Sequence, residues 1–216
     1  GVVWYVDDTC PGPASDGTTW STAFTNLQSA LAAANSTDEI WVAAGTYKPT
    51  YETDRSLSFQ LKTGVKIYGG FSDGGGHWAS RDWAGNETIL SGDIGTVGDS
   101  SDNSYHVVVG SGTDASALLD GFTVTAGQAD GADNDGKGGG VFNEYGSPTL
   151  ARCRITQNVA GLGGGLYNQH SAPTVMDTVL SGNSASQGGG VCNYHEGSWA
   201  AFVNCAFWGN SALYHG

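Results

Sequence analysis

An all-β fold, a right-handed parallel β-helix of three-strand coils with a short helix capping its start, is what this sequence predicts, and three observations carry the prediction. A Gly-Gly-Gly-x-x-Asn element recurs as Gly138-Gly139-Gly140-Val141-Phe142-Asn143, Gly163-Gly164-Gly165-Leu166-Tyr167-Asn168 and Gly188-Gly189-Gly190-Val191-Cys192-Asn193, spaced 25 and 25 residues apart. A second element follows each one, as Ile155-Thr156-Gln157-Asn158, Leu180-Ser181-Gly182-Asn183 and Phe207-Trp208-Gly209-Asn210, the last displaced by a two-residue insertion near Gly197. Within each unit, short β-prone runs such as Thr174-Val175-Met176 and Thr178-Val179-Leu180 are separated by Gly, Asn and Ser, with no helix between them.

A unit of this length, at roughly 3.3 Å per residue, suits one closed coil of three short strands, and successive coils pair in parallel at about 4.8 Å. Equivalent residues then stack. Asn143, Asn168 and Asn193 form one predicted ladder and Asn158, Asn183 and Asn210 another, each amide bonding its neighbour or a turn backbone. Leu150 with Val175, and Ile155 with Leu180 and Phe207, form apolar ladders inside. The glycine triplets belong where a β-carbon does not fit. Cys153 and Cys205 fall two coils apart, about 9.6 Å, beyond the roughly 7 Å reach of a disulfide, and are not expected to be bonded to each other.

The chain reads as a single domain over residues 1–216: an N-terminal strand and capping helix (1–37), irregular coils with side loops (38–137) and regular coils (138–216). Val2 to Val6 reads as the first strand. Leu27 to Ala34 is the one helical stretch, with Leu27, Ala30 and Leu31 on one face, placed to cover the open end of the first coil. Strands follow at 39–43, 58–61, 65–68, 88–90, 105–109 and 118–124, with polar loops at 48–56, 72–85 and 93–103. After Asn210 the pattern stops at Ser211-Ala212-Leu213-Tyr214-His215-Gly216. An uncapped end templates strand addition. Two arrangements fit: a piece of a longer surface protein, or docking onto the Val2–Val6 strand of another copy, head to tail, which builds a filament.

Glycine supplies 35 of 216 residues, more than twice the usual share of about 7%, and charged residues only 13%. Twenty-one acids against eight bases leave a net charge of −13, which repels nucleic-acid phosphates and anionic headgroups, so neither is an expected partner. No run approaches the roughly 20 apolar residues of a membrane span, and membrane insertion is not expected. No charged and apolar leader pattern opens the chain, which begins directly in a strand-like run, so any export signal is expected to have been removed already. Asn35-Ser36-Thr37 and Asn86-Glu87-Thr88 match the N-glycosylation acceptor pattern. Cys10, Cys153, Cys192 and Cys205 lack zinc-site spacing.

The Gly-Gly-Gly-x-x-Asn element with its following Phe/Leu/Ile-x-x-Asn resembles the repeats of bacterial surface β-helix proteins, including the polymorphic outer-membrane protein repeat and the wider pectate-lyase-like superfamily. Tyr5-Val6-Asp7-Asp8, Asp38 to Tyr47, Tyr68-Gly69-Gly70-Phe71 and Leu119-Asp120-Gly121-Phe122-Thr123 are similar to the start of large secreted bacterial β-helix proteins. The resemblance implies a β-helix and a secreted or cell-surface location. It implies little about activity, because that superfamily holds lyases, hydrolases, adhesins and inert repeats.

The residues leave three functions open. The first is a non-catalytic structural or adhesive surface module, its partners further copies of itself or the remainder of a longer surface protein. Residues 155–216 contain no Lys or Arg and only Asp177 and Glu196 as acids, too few for the base of a lyase or the carboxylate pair of a glycosidase. The second is a lyase or glycosidase on acidic polysaccharide, working from the irregular middle. There Asp130, Asp133 and Asp135 share an oxygen-rich loop that is a candidate calcium site, with Lys137, Arg152 and Arg154 near in sequence. The third is glycan binding without turnover on Trp78, Trp83, Trp199 or Trp208.

Overall fold

A computed structural model describes residues 1–12 and 15–215 of the chain. The regular coils are best read from one of them. Thr149–Ala151, Arg154–Thr156, Val159–Leu162 and Leu166–Gln169 follow one another as four short strands, each in a different sheet, and each pairs in parallel with its equivalent in the next coil. The coil therefore has four strands where the sequence predicts three. The corners explain the extra one. Arg152 (φ 51°), Gln157 (φ 56°), Gly163 (φ 65°) and His170 (φ 49°) each adopt the left-handed conformation, so the chain turns four times per coil. The next coil repeats this at Asp177, Gly182, Gly188 and His195.

Four all-parallel sheets result, of seven, six, four and five strands. We call them first to fourth in the order just given. The first sheet runs through Val3–Val6, Glu39–Ala43, Lys66–Phe71, Leu118–Asp120, Thr149–Ala151, Thr174–Met176 and Ala201–Val203. Crossovers between parallel strands of one sheet are right-handed in about 98% of cases, and the right-handed winding predicted for the coil rests on that rule. The predicted strand 118–124 is two strands, Leu118–Asp120 and Thr123–Thr125, because Gly121 turns the chain between them at φ +83°.

One inward residue per strand builds the core. Ile40, Ile67, Leu119, Leu150, Val175 and Phe202 stack under the first sheet. Leu90, Val124, Ile155, Leu180 and Phe207 stack under the second. Ala129, Ala160, Ala185 and Ala212 line the third, and Phe59, Val108, Val141, Leu166 and Val191 the fourth. The side chains from Ile40 to Val175 and from Leu90 to Leu180 in the first two ladders are sealed from solvent.

The glycine triplet is explained by one corner. Gly163 takes the left-handed turn, whereas a β-carbon on Gly164 would lie 2.5 Å from the Ser184 carbonyl oxygen and one on Gly165 would lie 2.6 Å from that of Gly190. The coils approach too closely there for any side chain.

The two ends differ. At the start, Leu27–Ala33 packs Leu27, Ala30 and Leu31 over the first coil, capped by Asn26 Oδ1, which accepts from the Ser29 amide at 2.8 Å. Lys62 Nζ donates to the carbonyls of Leu31 and Ala34 at the other helix end, where a cation is favoured. The outer edge of Val3–Val6 is already taken. Tyr5 N donates to Gly17 O at 2.8 Å, Phe24 N to Tyr5 O at 2.9 Å and Asp7 N to Phe24 O at 2.9 Å. At Tyr5 and Asp7 the edge foreseen for a head-to-tail contact therefore bonds within the chain.

At the other end, Ser211–His215 is a strand paired with Ser184–Gln187, so the repeat runs past Asn210 instead of stopping there. Among the described residues no strand pairs with the outer edge of this last coil, and the inward Phe207 is 48% exposed. Also among the described residues, no helix is long and apolar enough to cross a membrane.

Candidate functional site

The asparagine ladders run along the coil stack and are buried over most of their length. Asn143 Nδ2 donates to Asn168 Oδ1 at 2.9 Å, and Asn168 Nδ2 to Asn193 Oδ1 at 2.8 Å. At the corner between second and third sheets, Asn158 Nδ2 donates to Asn183 Oδ1 at 3.0 Å and Asn183 Nδ2 to Asn210 Oδ1 at 2.9 Å. The second ladder also bonds coil backbone, as where Asn158 Oδ1 accepts from the Gly127 amide and Asn183 Nδ2 donates to Ile155 O, whereas Asn143 Oδ1 is buried without a partner. These six residues tie successive coils together, Asn143, Asn158, Asn168 and Asn183 sealed and Asn193 exposed at the end of its ladder.

The acidic loop is arranged around a cation of the protein itself. Asp130 Oδ1 accepts from the Arg55 guanidinium at 2.6 Å, and Arg55 also donates to the carbonyls of Asn103 and Gln128 and lies over the Tyr105 ring. Asp133 sits at φ 54° at the head of a short 3-10 turn, Asp133–Gly136, and Asp135 closes that turn through its backbone on Gly131 and Ala132. Among the described residues no three His, Cys, Asp or Glu side chains come together as a metal-binding group. Lys137 reaches Asn134 within the loop, but Arg152 and Arg154 turn elsewhere.

Arg152 belongs to a buried ion cluster. Asp120, 1% exposed on its side chain, accepts from Arg152 Nε at 2.9 Å and from Arg81 at 2.7 Å, and Arg81 Nε donates onward to Gly69 O. Arg81 lies on the 72–85 loop, so Asp120 pins that loop to the coil. Beside it, a cavity of about 90 Å³ is lined by Trp83, Glu87, Thr123, Arg152 and Arg154, and it widens past Trp208 into a shallow hollow of about 420 Å³. Glu87 Oε1 accepts from Thr123 Oγ1 at 2.9 Å. Arg154 is exposed.

A broad concavity lies on the outer face of the first sheet. Tyr5, Trp41 and Tyr68 occupy equivalent outward positions in three successive coils, and Trp20 and Trp78 reach in from loops. Ring centroids stand 4.8 Å apart for Tyr5–Trp20, 5.4 Å for Trp41–Trp78 and 4.8 Å for Tyr68–Trp78. Two indoles are fixed by hydrogen bonds, Trp20 Nε1 to Gly76 O at 3.0 Å and Trp41 Nε1 to Glu39 Oε2 at 2.9 Å. Tyr5, Trp20, Trp41, Trp78 and the glycine run 74–76 enclose about 730 Å³. Sequence reasoning chose Trp78, Trp83, Trp199 and Trp208 singly and missed this cluster. The signal was present: Tyr5, Trp41 and Tyr68 each follow the apolar positions Trp4, Ile40 and Ile67 at the same phase of a strand.

The remaining candidates are isolated. Asn35 is exposed, its Nδ2 donating to Ala33 O, while Asn86 is half-buried with Nδ2 on Gly70 O. All four cysteines are free thiols, and burial pushes that of Cys153 up to about 12.

Four parallel sheets wound into stacked coils define a parallel β-helix repeat protein. A family profile described as "Protein of unknown function (DUF1565)" matches residues 11–200, and the chain belongs to that family. No curated protein and no solved structure matches it.

Proposed function

We propose that the chain is a non-catalytic structural or adhesive module, secreted or held at a cell surface, in which the coil is a stiff rod and the loops are its variable face. One observation carries this reading: six of the eight basic side chains are committed to architecture, and of the other two, Lys66 and Arg154, both exposed, only Arg154 stands in a groove. Lys48 faces Asp93, Arg55 ties Asp130 to the 103 and 128 backbones, Lys62 closes the helix, Arg81 and Arg152 share Asp120, and Lys137 holds Asn134. A polysaccharide lyase needs a free base and a cation for the sugar carboxylate at the same spot. The likeness of the repeats to bacterial surface β-helix proteins supports the extracellular location.

Arg154 favours a second reading, a lyase or hydrolase on acidic polysaccharide, because it stands exposed in a groove with Glu87. Incubation with pectin, alginate and chondroitin separates the two. The structural reading expects no unsaturated or reducing-end product, and release abolished by Arg154→Gln would replace it with the enzymatic one. Protease shaving of intact cells tests the location, since a surface module is cleaved without lysis.

A further inference from the structure

We infer that the hollow walled by Tyr5, Trp20, Trp41 and Trp78 is a binding site for uncharged sugar rings of a glycan. The inference rests on the adhesive reading above and supplies its ligand class. The walls are aromatic planes set by the fold: Tyr5 and Trp41 are register partners in adjacent strands, and Trp41 stacks on Phe71 at 4.8 Å with planes 11° apart. Such rings cost little ordering on binding. Trp78, at the rim, contacts Trp41 and Tyr68 and is still 47% exposed, so part of its ring is open to a ligand.

The glycine run is shaped for the same space. A β-carbon on Gly75 would lie 2.2 Å from the Trp20 ring, so the loop backbone can follow that ring only as glycine, and backbone polar groups thereby line a hollow with aromatic walls. A pyranose ring matches both surfaces, with a C–H face for an aromatic plane and hydroxyls for backbone groups. The volume of about 730 Å³ admits more than one ring.

Charge decides the class of sugar. Glu39 lies beside Trp41, and Asp7 and Asp73 beside Gly74, three carboxylates against the one guanidinium of Arg81, which lies over the Trp78 ring at 5.5 Å and shares Asp120 with Arg152. A glycan carboxylate or sulfate there would face like charge, so neutral units are selected.

The test is titration of the intact chain with cellohexaose, xylohexaose and chitohexaose, followed by tryptophan fluorescence and calorimetry. At least one is expected to bind, with affinity falling at least about tenfold in Trp78→Ala, retained in Trp78→Phe, and unchanged in Trp199→Ala. Circular dichroism confirms that each variant is folded. Absence of binding by all three, binding that survives Trp78→Ala, or preference for oligogalacturonate lost in Arg154→Gln would each overturn the site. None of these outcomes releases product from a polysaccharide, so failure of the site is distinguishable from failure of the non-catalytic reading.

Discussion

Asn183 accepts from both the backbone amide and the side-chain amide of Asn158, one coil below, at 3.1 and 3.0 Å, while its own Nδ2 donates to Ile155 O and to Asn210. A single sealed side chain thus ties three successive coils and leaves no lone donor in an apolar interior. Buried groups of this kind cost far more when a partner is removed than they contribute when satisfied.

Asn183→Ala is therefore expected to cost about 3 kcal/mol, since it orphans the Asn158 amide and the Ile155 carbonyl together. Asn210→Ala, at the last coil, should cost less because solvent reaches its neighbours. Urea denaturation of the two variants side by side checks the order. Equal losses would mean that the ladder does not act through burial.

Asp120→Ala leaves Arg81 and Arg152 without their shared carboxylate, and Arg81 is only 8% exposed on its side chain. Breaking one partner of a buried pair costs about 3–5 kcal/mol. The 72–85 loop should also become the first site of limited proteolysis, read by mass spectrometry. A variant cut at the same sites as the parent would show that Asp120 does not hold the loop.

Acid should weaken the fold through His106. Burial against Phe142 at 4.8 Å holds its imidazole below the ordinary 6.5, with a raising contribution from the Gly138 carbonyl that does not offset burial. Below that ordinary value the unfolded chain takes up a proton that the folded chain refuses, so stability falls with pH until the depressed folded value is passed. His106→Phe should flatten this part of the stability profile. An unchanged slope would assign acid sensitivity to other groups.

Among the described residues the first coil is covered by Gly17, Phe24 and the Leu27–Ala33 helix, whereas Phe207 of the last is 48% exposed, so the 216-residue polypeptide by itself is expected to associate through that face and stop at a pair. Light scattering is expected to show monomer and dimer, with Phe207→Lys suppressing the dimer. Long fibres under the electron microscope would contradict it.

Much of the scaffold was readable because the repeat obeys one register: Asn143, Asn168 and Asn193 are true strand partners, and Ile155, Leu180 and Phe207 fall on one ladder. The fourth strand was not, because non-glycine residues such as Arg152, Gln157 and His170 take left-handed corners that no composition signal marks. Site residues were harder still. Asp130 reads as a ligand in an acidic run, yet its partner Arg55 lies 75 residues away, and Asp120 draws Arg81 and Arg152 from opposite directions along the chain. Such pairings depend on which loops fold back over which coil, and a linear pattern does not record that.

Oxidative cross-linking of paired cysteines tests the stacking most directly. Thr149 and Thr174 are register partners one coil apart, about 4.8 Å and inside disulfide range. Thr149 and Ala201 lie two coils apart, outside it. Peptide mapping should find the bond in Thr149→Cys/Thr174→Cys and not in Thr149→Cys/Ala201→Cys. The reverse pattern, or no bond in the first pair, would contradict the stacked coil.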